Sequence, residues 1–226
     1  EKEAKKIASE TIPEKEIRKR GDFRDNITFT IDPEDAKDFD DAISYKKLPD
    51  GNYEIGVHIA DVSHFVKPGG ALDQEAAERA TSVYLVDRTI TMLPEVLSNG
   101  ICSLLPNVDR LTFAAVFILD KNAKVLNQWF GKTIINSNKR YTYEEADKIL
   151  ETKTGPFAEE LHEINKLAKK LREERFVRGS MSLETDDVKF KLDATGKPIE
   201  IIRHTPTDSH RLIEEYMLLA NKKVAE

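Results

Sequence analysis

At 226 residues, with 39% hydrophobic content and ten Phe, the chain holds enough apolar mass for a packed core, which excludes a disordered tail. Charged residues make up 34% and sum to −6, an acidic balance that argues against a chain coating nucleic acid with bulk positive charge. No apolar run approaches the roughly 18–20 residues that cross a bilayer, and the single cysteine, Cys102, rules out an internal disulfide or a cysteine-based zinc cluster. No membrane association and a cytoplasmic, reducing setting are expected, with Cys102 as a small buried hydrophobe.

Residues 1–24 are highly charged, with a weak helical stretch over 3–10 and a break at Pro13, as in a linker leaving a preceding domain. From Asn26 the pattern changes. Ile27, Phe29 and Ile31 alternate with Thr28, Thr30 and Asp32, the period of a half-buried strand with Asp32 at the end of its polar face. Segments 42–47 and 53–60 flank Pro49-Asp-Gly-Asn52 and predict a hairpin, with Tyr53, Ile55, Val57 and Ile59 on one face. An alanine-rich helix or helical turn is predicted over 72–84, and a strand buried on both faces over 111–119. The latter turns into 125–135 as a second hairpin.

Thr142-x-x-Glu145 is a capping box opening a short helix to Leu150. Phe157, Leu161, Ile164, Leu167, Ala168 and Leu171 form the stripe of an amphipathic helix. Its Lys166, Lys169, Lys170, Arg172, Arg175 and Arg178 are interspersed with Glu and read as a solvated face. Segments 188–192 and 199–203 predict a third hairpin, and Asp208 or Ser209 can cap a last helix carrying Leu212, Ile213, Tyr216, Met217 and Ala220. Strands and helices come in clusters, so the expected class is α+β, a mixed and largely antiparallel sheet with hairpins packed by helices.

The densest chemistry is Asp32-Pro-Glu-Asp-Ala-Lys-Asp-Phe-Asp-Asp41, six acidic side chains in ten residues. Mg²⁺ takes hard oxygen ligands, and a strand-end Asp followed by a tight acidic loop can supply one or two ions. A solvated acidic loop is the competing reading, opposed by Phe39, Ala42 and Ile43, which want burial. A calcium EF-hand fits poorly: counted from Asp38, its glycine position is Ile43 and its bidentate Glu position is Pro49. The six-residue spacing of His58 and His64 does not make a zinc site, and Asn99-Gly100 reads as a supporting turn.

Five blocks in order carry a resemblance. Asp32-Pro-Glu-Asp-Ala-Lys-Asp38-Phe-Asp40-Asp41, Val57-His-Ile-Ala-Asp-Val-Ser63, Ser82-Val-Tyr84-Leu, Met92-Leu-Pro-Glu-Val-Leu-Ser-Asn-Gly-Ile-Cys-Ser-Leu104 and His210-Arg-Leu-Ile-Glu-Glu-Tyr-Met217 together resemble the ribonuclease II/ribonuclease R family, closest to the ribonuclease R branch. The resemblance implies a hydrolytic 3′→5′ exoribonuclease that releases nucleoside 5′-monophosphates processively from the 3′ end of single-stranded RNA. Asp32, Asp38, Asp40 and Asp41 would gather one or two Mg²⁺ ions, with Mn²⁺ able to substitute and Asp40 the most critical for the chemistry. Tyr84 would pack on the terminal base and Glu214 lie near the same nucleotide.

Arg203, His204 and Arg211 are a candidate phosphate-contacting set by residue type. The family has an aromatic where this sequence has Leu183, after Ser182, so the resemblance carries no stacking partner to that position. Residues 1–22 would be a linker from an RNA-binding domain, and 23–226 the N-terminal portion of a catalytic domain. The family's charge-stabilising arginine would lie beyond residue 226, so little or no processive activity is expected of the chain alone. A non-catalytic RNA-binding or metal-binding module on the same fold is the alternative.

Overall fold

A computed structural model of the chain describes residues 1–181, 187–193 and 195–226. The chain opens with two short helices, α1 (Lys2–Ala8) and α2 (Glu14–Ile17), then a two-residue strand β1 (Gly21–Asp22) and β2 (Ile27–Asp32). The loop after β2 leads into the hairpin β3 (Asp41–Lys47) and β4 (Tyr53–Ala60), whose turn places Gly51 at φ +84°, a conformation glycine adopts without cost. Next come α3 (Val62–Phe65), α4 (Ala71–Arg79), a small ribbon of β5 (Val83–Tyr84) and β6 (Thr89–Ile90), and a π-helical turn over Val96–Ile101. The long hairpin β7 (Asp109–Leu119) and β8 (Val125–Asn136) follows, then β9 (Lys139–Thr142). Helices α5 (Tyr143–Thr152) and α6 (Ala158–Val177), the hairpin β10 (Asp187–Leu192) and β11 (Pro198–His204), and α7 (Asp208–Ala225) complete the fold.

Seven strands form one sheet in the order β1-β8-β7-β4-β3-β2-β9. Its central pairings are antiparallel, and only the outer pairs β1/β8 and β2/β9 are parallel. The expected α+β class therefore holds. One face packs Phe29, Ile43, Ile55, Val57 and Phe117 against Ile149 of α5, Leu161 and Ile164 of α6, and Leu212 and Tyr216 of α7. The opposite face carries a second core of Ala42, Ala60, Leu97, Cys102, Leu104 and Ile135, to which Ala4 of α1 and Phe39 of the acidic loop contribute. The segment read as a linker thus lies against the domain, with both Ala4 and Arg20 buried.

That second layer corrects the reading of β2. Thr28, Thr30 and Asp32 occupy the face opposite Phe29 and Ile31, yet all three are buried, because the second core excludes water from the face that parity marked as polar. A similar departure occurs at α4, which stops at Arg79, where Ala80 takes φ +64°, so that Tyr84 sits on a ribbon strand and not on the predicted helical turn. Burial of β7 on both faces fails locally at Phe113, which is 45% exposed and paired across the sheet with the similarly exposed Ile59. Thr207, one residue ahead of the predicted caps, is the N-cap of α7. The Thr142–Glu145 box forms as read, with reciprocal bonds of 3.1 and 3.2 Å.

Candidate active site

The sheet register brings the two ends of the acidic loop side by side. Phe29 of β2 pairs with Ile43 of β3, so the chain leaving β2 after Asp32 must return beside it by Asp41. The Ala60 N–H of β4 then donates to the Asp40 carbonyl at 2.9 Å, fixing the re-entry point.

Asp32 is only 8% exposed, and its carboxyl is pushed up to about 6, first by burial and also by the charges of Asp41 and Asp40. Thr30 and Arg140 pull the other way, but Thr30 forms no finished hydrogen bond: its Oγ1 and Asp32 Oδ2 are both buried without a partner. Asp41 is likewise pushed up to about 6 by burial and by Asp40. Asp40 is exposed, yet the protein around it and the charge of Asp38 still raise it. Asp32, Asp40 and Asp41 are thus each raised in part by the charge of another carboxylate of the same loop.

Two tyrosines join them. The Tyr84 hydroxyl donates to Asp38 Oδ2 at 3.5 Å, a long bond, while the side chain is 70% exposed and its ring is open to a ligand. Burial and the charges of Asp38 and Asp40 raise its phenol. Tyr143, at the start of α5, is pushed up to about 12 by burial and by Asp41 and Asp32. Its ring stacks on His210 of α7 with centroids 3.7 Å apart, which brings the first turn of α7 to the same corner. Sequence reasoning passed over Tyr143, since an aromatic after a helix cap carries no local mark of function.

Among the described residues, no three His, Cys, Asp or Glu side chains converge as a ready-made metal cluster. Mg²⁺ does not require one, because it keeps several waters and is held by one or two carboxylates together with substrate phosphates. The unpartnered Asp32 Oδ2 and the raised carboxyls are what a divalent cation would relieve, and every donor is a hard oxygen. The residues fit Mg²⁺ by their chemistry.

The sequence pattern of the RNB domain matches residues 20–226. The chain belongs to the RNB domain family. It is 47% identical to ribonuclease R of Thermotoga maritima over 95% of this chain and 31% of that protein. Against DIS3-like exonuclease 2 of Schizosaccharomyces pombe it is 45% identical over 95% of this chain and 25% of the relative. In three dimensions it superposes on Mycoplasma genitalium RNase R in complex with ribose methylated single-stranded RNA with a TM-score of 0.90 at 29% identity, covering 98% of this chain and 36% of that one. The chain spans less than a third of the length of these two curated relatives.

Elsewhere in this RNB domain, Glu214 is exposed on α7 and paired with Arg175 of α6 at 3.4 Å. Arg211 lies by Asp208, whose carboxyl is lowered first by its bond from Lys169 and least by Arg211, and Arg203 lies on the exposed hairpin opposite Val188. Ser182, Leu183 and the His204 side chain lie outside the described residues. His58 is fully buried between Ser44 and Thr133, at 2.8 and 3.2 Å, and burial pushes it down to about 3, so it works as a neutral core bridge. A cleft of about 730 Å³ opens between α5, α6 and the start of α7; its mixed lining of Lys148, Lys166, Glu144 and Glu173 includes none of the four aspartates.

Proposed function

We propose that this RNB domain is the aspartate-bearing part of a magnesium-dependent, hydrolytic 3′→5′ exoribonuclease that shortens single-stranded RNA to nucleoside 5′-monophosphates. The observation that carries the reading is the unpartnered buried oxygen of Asp32 on a loop whose Asp32, Asp40 and Asp41 are raised by burial and neighbouring carboxylates, beside the exposed ring of Tyr84. Asp32, Asp38, Asp40 and Asp41 would hold the cation, with Mn²⁺ able to replace Mg²⁺. The bound ion would supply an activated water and neutralise charge on the scissile phosphate.

The chain's own residues do the rest. Tyr84 offers a π-face that any terminal base can stack on, in keeping with degradation that ignores sequence. The backbone bond between Ala60 and Asp40 holds Asp40 at the mouth of the loop, where it is exposed and can meet the terminal phosphate. The buried Asp32 and the half-buried Asp41 would shape the inner wall. Glu214, Arg203 and Arg211 remain proposed substrate contacts, and a cytoplasmic setting remains proposed with them. Processive action is assigned to a longer protein carrying this domain, and the chain alone is expected to cleave weakly or not at all.

The test is digestion of 5′-labelled single-stranded RNA by the longer protein, in Mg²⁺ and in EDTA. Stepwise shortening should require Mg²⁺ and should fall at least about 10²–10³-fold in Asp40→Asn, the scale of losing one transition-state stabiliser. Equal degradation by wild type and Asp40→Asn overturns the assignment and leaves a non-catalytic RNA-binding or metal-binding module.

A further inference from the structure

The acidic loop has almost no regular structure of its own, and like charges push it open. Two side chains far away in sequence grip it. Ser103, wholly buried, accepts from the Phe39 N–H at 3.0 Å and donates to the Lys37 carbonyl at 2.9 Å, so one hydroxyl brackets Asp38 on both sides. Ser103 is itself anchored: Arg110 Nε donates to its carbonyl at 2.7 Å, and Leu104 N–H donates to the Phe39 carbonyl at 2.8 Å. On the other side of the loop, Arg140 donates through Nη2 to the carbonyl of Pro33 and to that of Glu34, the latter at 3.1 Å, just past Asp32. Its guanidinium also lies 5.3 Å from the ring centroid of Phe39, the residue between Asp38 and Asp40.

We infer that Ser103 and Arg140 are positioning residues that hold the aspartate loop in a cation-binding shape against its own repulsion. The inference rests on the metal reading above and adds which residues build the cradle. Both side chains act through the loop backbone that they hold. Groups that orient metal ligands without ligating commonly govern affinity about 10–100-fold.

The sign of the Arg140 effect separates this role from plain electrostatics. Removing a positive charge beside Asp32 should by itself tighten cation binding, whereas loss of a clamp should weaken it.

The experiment is Mn²⁺ binding to the 226-residue chain, followed by electron paramagnetic resonance, with melting temperatures in EDTA measured alongside. Ser103→Ala and Arg140→Ala should each weaken binding at least about tenfold, and Arg140→Lys should recover part of the loss. Arg140 is only partly buried, so its variants keep the test alive if Ser103→Ala fails to fold.

Unchanged or tighter binding in Arg140→Ala overturns the inference. So does a loss of affinity that merely follows a lowered melting temperature. If wild type and an Asp32→Asn, Asp40→Asn double variant bind Mn²⁺ alike, or wild type binds none, the metal reading falls and takes the clamp with it. If the aspartate variant loses binding while the clamp variants match wild type, the clamp alone falls.

Discussion

Two acidic regions of this domain are both withdrawn from water, and they behave in opposite ways. Asp61 is 4% exposed, but Arg20 reaches its Oδ2 at 2.7 Å, Lys132 at 3.1 Å, and the Ser63 hydroxyl donates to Oδ1 at 2.7 Å. Burial alone would raise this carboxyl; the bonds from Ser63, Arg20 and Lys132 bring it down to about 2. Arg20 is equally well satisfied, through Glu16 and the carbonyls of Thr112 and Thr133. Asp32, barely more exposed, has an oxygen with no partner and a carboxyl near 6. Burial is common to both, so it cannot mark a functional carboxylate. Compensation does: the paired one builds the fold, and the unpaired one waits for a positive charge.

The largest test of that contrast is Arg20→Met, which removes the shorter of the two ion pairs of the buried Asp61 and should cost up to about 3–5 kcal/mol in urea unfolding. Under the same conditions Asp40→Asn should shift stability by less than about 1 kcal/mol, because an exposed aspartate has little to lose. Equal costs would erase the distinction.

Next in size is Asp32→Asn in EDTA. The folded carboxyl sits near 6, above its unfolded value, so the native state holds the extra proton and wild type loses stability as pH rises from about 4 through 6. The variant escapes that loss. It should be more stable than wild type at pH 8, by at most about 3 kcal/mol, and show no such gain at pH 4. Millimolar Mg²⁺ should narrow the difference at pH 8 by stabilising wild type alone. A gain that persists at pH 4 would point to packing instead of charge.

The smallest effect on the fold is expected at Tyr84. Tyr84→Ala should leave the melting temperature unchanged, since the side chain is 70% exposed. Measured by fluorescence anisotropy in an Asp40→Asn background, it should weaken binding of a single-stranded RNA 3′ end by about 1–3 kcal/mol. Undiminished affinity would remove Tyr84 from the RNA-facing surface.

Local signals carried much of this architecture. Alternation marked β2 and β4, Pro49 to Asn52 marked the turn between β3 and β4, and the spacing of Leu161, Ile164, Leu167 and Ala168 marked the buried face of α6. Strand β9 went unread, and the turn read at Asn99-Gly100 is part of a longer π-helical turn over Val96–Ile101, because four residues give too short a period and a π turn has no distinct one.

By itself the sequence determined most of the longer strands and helices, where the acidic side chains cluster, and which family their spacing resembles, because periodicity, capping and turn chemistry act over a few residues. Tertiary structure alone decided that Asp32 lies under a second core with an unpartnered oxygen while Asp61 is neutralised. It also brought Ser103, Arg140 and Tyr143 to the aspartates from 64 to more than 100 residues away. Solvent exclusion and charge compensation depend on what the folded chain stacks above a residue, and that partner is written elsewhere in the chain.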